Sequence, residues 1–553
     1  YKVDKCGGLF ESGLRNFKAS WSSDSKWLAY PKDLNNRSSA IFLYNIEDEK
    51  AHQVTSGYYN ESGPSFDPDG KYLYFTTNRT FKPVYSDLDN TWIYPNSTNI
   101  ALITLNEDII SPLAPKNDTT EIKKDELKKD EKKDESKDKK DEKEKSKDVK
   151  ISIDNFENRV VILPIEAGNI GNLQAVSGKL VFHRIPNSGS ADKAKPICYY
   201  DLEKREEKKI VDDADLFQIS ADGKKILVGK SNSYSIVDVA EGQKLDKKMP
   251  TAQLEMTINP KEEWKQIFNE VWRLERDFFY DPNMHGVDWD AMHKQYGDLV
   301  DNAVTRWDVN FLIGELISEL NASHTYVGGG DTEQSEYKNT GYLGIDWAVE
   351  NGAYKIKRIV NGAPWDSEVR SPLLAPGLKI KAGDYILAVN GEPLDISKAP
   401  WEAFSGLADK TVELTINDKP TLEGSRKITV QTIESETRLR NLEWIEMNRK
   451  RVEEATDGKI GYIYVPSTGI DGQTELVRQF MAQFDKQGLI IDERFNDGGQ
   501  IPDRFIELLD RKPLAFWAVR DGVTWQWPQV ANFGPKVMLI NGWSGSGGDA
   551  FPD

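Results

Sequence analysis

Cysteine is nearly absent from these 553 residues: only Cys6 and Cys198 occur. Two cysteines cannot build a disulfide framework, and neither has the CxxC or CxxH spacing of a metal site. They read as two buried thiols, with one bridge in an oxidising compartment as the alternative. No cofactor or metal is expected. Long apolar runs are also missing. Nothing approaches the roughly 18 residues that span a bilayer, so no membrane segment is expected. Positive charge is in deficit, with 72 Lys and Arg against 90 Asp and Glu, a net charge of −18 and a pI near 5.0. Nucleic acid and anionic membranes both require a basic footprint, so neither is an expected partner. A peptide, especially a basic one, fits better. The chain opens at Tyr1 with no Met, basic n-region or apolar h-region. The reading is therefore a targeting segment that was removed or never existed.

What is present starts with length. Apolar residues make up 38% and aromatics 10%, enough for three or four packed domains. The mean hydropathy of −0.60 is depressed by one charged tract. The first region carries a repeat. Ser20-Trp21-Ser22-Ser23-Asp24-Ser25-Lys26-Trp27-Leu28-Ala29-Tyr30 returns as Ser65-Phe66-Asp67-Pro68-Asp69-Gly70-Lys71-Tyr72-Leu73-Tyr74-Phe75, about 45 positions on. A third copy is Ile219-Ser220-Ala221-Asp222-Gly223-Lys224-Lys225-Ile226-Leu227-Val228, preceded by the related Ser177-Gly178-Lys179-Leu180-Val181-Phe182. Each copy reads as strand, Asp-centred turn, strand, on the period of a propeller blade. Residues 1–113 and 151–250 are read as β-propeller blades, with a β-sandwich as the alternative. Between them, residues 114–150 are almost wholly Lys, Asp and Glu, a solvated insert between blade strands.

From Pro260 the apolar period becomes helical. Trp264, Phe268, Val271, Trp272 and Leu274 mark one helix, and Phe311, Leu312, Leu316, Ile317 and Leu320 a second, so residues 260–335 form a helical unit. It runs through Ser323-His324 to Gly328-Gly329-Gly330. Farther on, Gly383-Asp384-Tyr385-Ile386-Leu387-Ala388-Val389-Asn390-Gly391 sets a strand between tight turns, after Tyr342-Leu343-Gly344-Ile345 and Gly362-Ala363-Pro364. This resembles a PDZ domain over 338–435, with Tyr342, Leu343, Gly344 and Ile345 at the loop that takes a peptide's terminal carboxylate on backbone amides. Residues 440–553 alternate apolar strands (Ile460–Val465, Gly488–Asp492, Val537–Asn541) with helices near Glu475–Phe484 and Phe505–Leu509. That pattern is a parallel α/β unit, whose ligands sit at the carboxyl ends of the strands.

Two glycine-rich exits lie at those strand ends: Glu493-Arg494-Phe495-Asn496-Asp497-Gly498-Gly499 and Gly542-Trp543-Ser544-Gly545-Ser546-Gly547-Gly548-Asp549. Gly545 and Gly547 allow a sharp bend that exposes the Ser546 hydroxyl. The spacing is not the Gly-x-Ser-x-Gly elbow, and alone Ser-Gly-Ser-Gly-Gly reads as an ordinary loop. Asp-x-Arg-x-Asn-x-Gly-Gly about fifty residues before Ser-x-Ser-x-x-acidic resembles the core of the C-terminal processing peptidases. Together with the order propeller, helical piece, PDZ, α/β piece, the chain resembles the tricorn protease family along essentially its whole length.

That resemblance implies a multidomain β and α/β architecture: a partial β-propeller of the seven-bladed type, a small helical unit, a PDZ domain and a truncated α/β peptidase core. It implies a serine peptidase acting on short or unfolded peptides admitted through a propeller channel. Ser546 is the expected nucleophile, His324 its base, Ser323 the group orienting His324, and the amides of Gly499 and Gly547 the oxyanion hole. Of the five histidines, His52 and His183 fall in the propeller, while His285 and His293 have no neighbouring serine or acid pattern. Asp549 reads as a turn stabiliser and Asp492 as a structural partner of Arg494. The family places a relay glutamate well beyond the nucleophile, whereas this chain stops at Asp553, so a fragment of a longer protein is expected. The family also implies a cytoplasmic hexamer, with a periplasmic or secreted protein as the alternative. The rival functions are a Ser-Lys processing peptidase and a non-catalytic peptide-binding scaffold.

Overall fold

The structure, a computed structural model, describes residues 3–4, 17–88, 91–115, 148–187, 189–362, 369–499 and 502–553. Cys6, Ala363, Pro364 and insert residues 116–147 lie outside the described residues. The chain divides into two compact units, Tyr1–Glu255 and Met256–Asp553.

The described residues of the first unit form four antiparallel sheets, three of four strands and one of three, and a two-stranded ribbon of Val84–Tyr85 and Trp92–Ile93. Every repeat copy is a hairpin. Ser20–Trp21 turns into Trp27–Asp33, Glu61–Phe66 into Tyr72–Thr77, Asn169–Val176 into Lys179–Ile185, and Leu216–Ile219 into Lys225–Lys230. The turn aspartates explain why the motif recurs. Asp24 accepts from the Ser22 hydroxyl at 2.6 Å and the Lys26 amide at 3.1 Å. Asp222 repeats the pattern with Ser220 at 2.6 Å and Lys224 at 3.1 Å. Strand alternation then joins sheet to sheet. Leu73 and Phe75 pack with Ile41 and Leu43 of the first sheet, while the intervening Tyr74 packs with Leu180 and Phe182 of the third. Val181, between those two, packs with Ile226 and Val228 of the fourth. Strands buried on both faces by successive sheets are blades. The charged insert falls inside the second blade, between Asn99–Thr104 and Val160–Ile162. Its end is earlier than residue 150: Val149 is buried in the first core, and its amide donates to Asp24 at 2.7 Å. A valine with apolar neighbours has no reason to stay in the solvated tract.

In the second unit, helices Pro260–Phe278, Trp289–Val300 and Arg306–Ser318 share one core that includes Phe268, Trp289 and Leu316. The middle helix, opened by an Asp288 cap, was not read from sequence. The third starts with a Thr305–Asp308 capping box. Strands Ile345–Glu350, Ala353–Ile359, Tyr385–Val389, Thr411–Asn417 and Arg426–Gln431 form the main path of the next sheet. The expected strand after Gly383-Asp384 is its centre.

Helix Thr437–Ala455 leads into a parallel sheet of Ile460–Tyr464, Gly488–Asp492 and Lys536–Leu539, in that spatial order. Tyr462 and Tyr464 pack against Ile445 on one face, while Ile463, Leu489 and Ile491 meet Leu476, Phe480 and Phe505 on the other. Helices Ile470–Met481 and Pro502–Leu509 cover that second face. Gln479 and Gln483 each exchange two hydrogen bonds with the outer strand, at Tyr464 and Tyr462, which closes that edge with side chains.

Candidate active site

The site starts from strand register. Gly488–Asp492 and Lys536–Leu539 run parallel, with Asp492 opposite Leu539, so the loops that follow leave the same end of the sheet side by side. Several contacts tie them. The Ser544 hydroxyl donates to the Glu493 carbonyl at 2.9 Å, and the Gly545 amide to the Asn496 carbonyl at 3.1 Å. Gly498 has φ +89°, and a Cβ there would sit 2.7 Å from the Ser546 Cβ. Gly499 has φ +147°, and a Cβ there would sit 2.4 Å from the Thr468 carbonyl carbon. Both positions therefore require glycine.

Ser546 sits at φ 58°, ψ −121°, and helix Gly547–Ala550 begins at the next residue. His324 also has positive φ, 61°. Non-glycine residues are held in such conformations only where surrounding structure over-determines them. His324 Nε2 lies 3.0 Å from Ser546 Oγ across 222 residues of sequence. Its Nδ1 lies 3.2 Å from Ser323 Oγ. With Nδ1–H donating to Ser323, Nε2 is left to accept the Ser546 proton. All three side chains are exposed, so the hydroxyl faces solvent. Among the described residues the amides of Gly499 and Gly547 have no hydrogen-bond acceptor, and the Gly499 nitrogen lies 3.1 Å from where a Gly547 Cβ would be. The five residues singled out from sequence thus meet around one hydroxyl.

The other candidates separate cleanly. Asp492 is fully buried and bidentate with Arg494, at 2.9 and 2.6 Å, and accepts from the Tyr462 hydroxyl at 2.7 Å. It is a structural pair, as read. Asp549 is exposed, and its amide donates to the Ser546 carbonyl at 3.1 Å. His293 meets the Asn269 amide oxygen at 2.7 Å. His285, passed over in the sequence, supports the site: its Nδ1–H donates at 2.8 Å to the Leu320 carbonyl, at the root of the loop bearing His324. Glu493 was also missed. It is fully buried and neither carboxylate oxygen has a partner among the described residues. Burial first, then the Asp549 and Asp492 carboxylates, push its pKa up to about 8. Among the described residues no group of three His, Cys, Asp or Glu side chains is arranged to hold a metal ion, and no helix is long and apolar enough to cross a membrane.

Three family models match stretches of the chain that precede or flank the site residues. They are the tricorn protease second beta propeller domain at residues 12–240, the C1 domain at 260–318 and the PDZ domain at 341–435. Tricorn protease homolog 1 of Streptomyces coelicolor is 30% identical over 546 residues, covering 96% of this chain and 50% of the relative. A putative tricorn-like protease C-terminal subunit of Sulfurisphaera tokodaii is 29% identical over 544 residues, covering 96% and 60%.

The chain belongs to the tricorn protease family.

It spans about half the length of most of the curated relatives it matches. The crystal structure of the tricorn protease superposes with a TM-score of 0.80 at 22% identity, over 99% of this chain and 52% of that one, a likeness of fold. One expectation within this tricorn-family chain is corrected. The Tyr342–Ile345 turn is not open to a peptide carboxylate. Tyr342 is bonded through both its amide and its carbonyl to Ile433, at 2.8 and 3.0 Å, and the Leu343 carbonyl accepts from Ser371 at 2.7 Å. The Gly344 amide donates at 2.7 Å to Glu436 Oε1, and the Ile345 carbonyl accepts from Arg440 at 2.9 Å. Arg440 also binds Glu436 Oε2 at 2.8 Å. An internal carboxylate, backed by its own arginine, already satisfies the amide that a peptide terminus needs.

Proposed function

We propose that this protein is a serine peptidase in which Ser546 attacks the scissile carbonyl and His324 is the general base. The observation carrying it is the 3.0 Å contact of His324 Nε2 with the Ser546 hydroxyl on a strained turn. As Oγ bonds to the carbonyl carbon, its proton passes to His324 Nε2. The resulting oxyanion is taken by the Gly499 and Gly547 amides, each worth about 10²–10³ in rate. The imidazolium gives the proton to the leaving amine, which departs and leaves an acyl ester on Ser546. Water then attacks that ester, losing its proton to His324, which returns it to Ser546. Ser323 steadies the ring by accepting from Nδ1–H.

Family membership and the acidic charge support short or unfolded peptides as substrates, with basic ones favoured. The family resemblance also supports entry through the propeller channel and a cytoplasmic hexamer. The test is turnover of unstructured peptides by the full chain, with Ser546→Ala and His324→Ala beside it. Loss in both supports this reading. Loss in Ser546→Ala with full activity in His324→Ala supports a lysine base, and turnover unaffected by either removes Ser546 from the chemistry.

A further inference from the structure

Catalysis on this reading needs two loops in fixed register, because one presents the Gly499 amide and the other presents Ser546. Each follows a different strand, and neither is a regular element up to its glycines. One side chain at the sheet end touches both. Asn541 Oδ1 accepts the Phe495 amide at 3.1 Å and the Trp543 amide at 3.2 Å. The Ser544 hydroxyl and the Gly545 amide cross from one loop to the other once each. Among the described residues, Asn541 is the side chain that holds an amide on both.

Phe495 shows why that hold is required. Its φ is 68°, a left-handed conformation that a bulky residue avoids, and its ring is 52% exposed. The ring meets Trp444 edge-on at 6.4 Å and is otherwise open to solvent, so this one contact leaves the left-handed backbone to be held by a hydrogen bond. Trp543, on the other loop, is 78% exposed. Release of the Phe495 amide lets that residue relax to negative φ, and the rotation passes down the short loop to Gly499, whose amide must stay within hydrogen-bond reach of the reacting oxygen.

We infer that Asn541 is a positioning residue: by accepting the Phe495 and Trp543 amides together it holds the oxyanion loop in register with the nucleophile. This rests on the peptidase reading above. A register fault acts on the transition state more than on substrate binding, so it lowers kcat and leaves KM nearly unchanged. The side chain's role is that of an acceptor, so aspartate can replace it and alanine cannot.

The experiment measures fluorophosphonate labelling rates at Ser546 and peptide turnover in wild type, Asn541→Ala and Asn541→Asp, with thermal melts alongside. The expected result is a loss of about 10- to 100-fold in labelling rate and kcat for Asn541→Ala, recovery to within about threefold for Asn541→Asp, and unchanged KM. Labelled wild type together with Asn541→Ala at wild-type rate overturns the inference. An unlabelled wild type overturns the peptidase reading instead. If Asn541→Ala does not fold, hydrogen exchange of the wild-type protein decides: protection of the Phe495 and Trp543 amides is expected, and exchange at the free-chain rate overturns the inference.

Discussion

The Tyr342–Ile345 turn and the Asn496–Gly499 turn are both glycine bends beside a strand end, and both read from sequence as places where backbone amides meet a ligand's oxygen. They differ in what the amide meets. Gly344 donates to Glu436, a side-chain carboxylate 92 positions downstream, and that carboxylate is held by Arg440. Gly499 and Gly547 have no acceptor among the described residues, and the exposed Ser546 hydroxyl beside them lies 3.0 Å from His324 Nε2. The first bend fastens the PDZ sheet to helix Thr437–Ala455, and the second leaves its donors open. A bend of glycines marks where a chain turns; whether its amide is open depends on residues no local motif contains.

The largest effect breaks the open side. Ser546→Ala and His324→Ala are each expected to lower kcat/KM by about 10⁴-fold or more, in peptide turnover assays, with little change in melting temperature. Next is Gly499→Ala, whose Cβ would lie 2.4 Å from the Thr468 carbonyl carbon at φ +147°. The amide must move, so kcat should fall by about 10²–10³-fold with KM nearly constant.

Much of this contrast was legible in the sequence, and its limits are physical. Propeller hairpins, the Gly383-Asp384 strand and the parallel core appear because their apolar periods and turn residues are local. Helix Thr437–Ala455 was not read, since it buries only Leu439, Glu443 and Ile445. Its buried Glu443 is explained by Arg358 on a distant strand and by the Asn361 amide at 2.9 Å. Ser323, His324, Ser546, Gly499 and Gly547 were named through family resemblance, because a contact across 222 residues is a property of the fold. Glu436, Glu493 and Asn541 carried no signal at all: a single acid or amide acquires its role only from what folds over it.

Glu493 sharpens the open side through pH. Its folded pKa is raised to about 8, so the folded protein retains a proton that the unfolded chain releases in the ordinary carboxylate range. Stability from this group is full below that range and is lost as pH rises toward 8, by a few kcal/mol. Urea unfolding across this range should show the decline in wild type, and Glu493→Gln should flatten it. The smallest effect tests the closed side. Glu436→Ala leaves the Gly344 amide unpaired and should cost about 1–3 kcal/mol in urea unfolding. Calorimetry with peptides ending in a free acid or an amide should show no discrimination in wild type and preference for the acid in Glu436→Ala.

The most direct test of the central claim is to treat the full chain with a fluorophosphonate and map the adduct by peptide mass spectrometry. The expected result is a single stoichiometric adduct on Ser546 that is lost in His324→Ala. An intact Ser546 in folded wild-type protein, or undiminished labelling without His324, contradicts it.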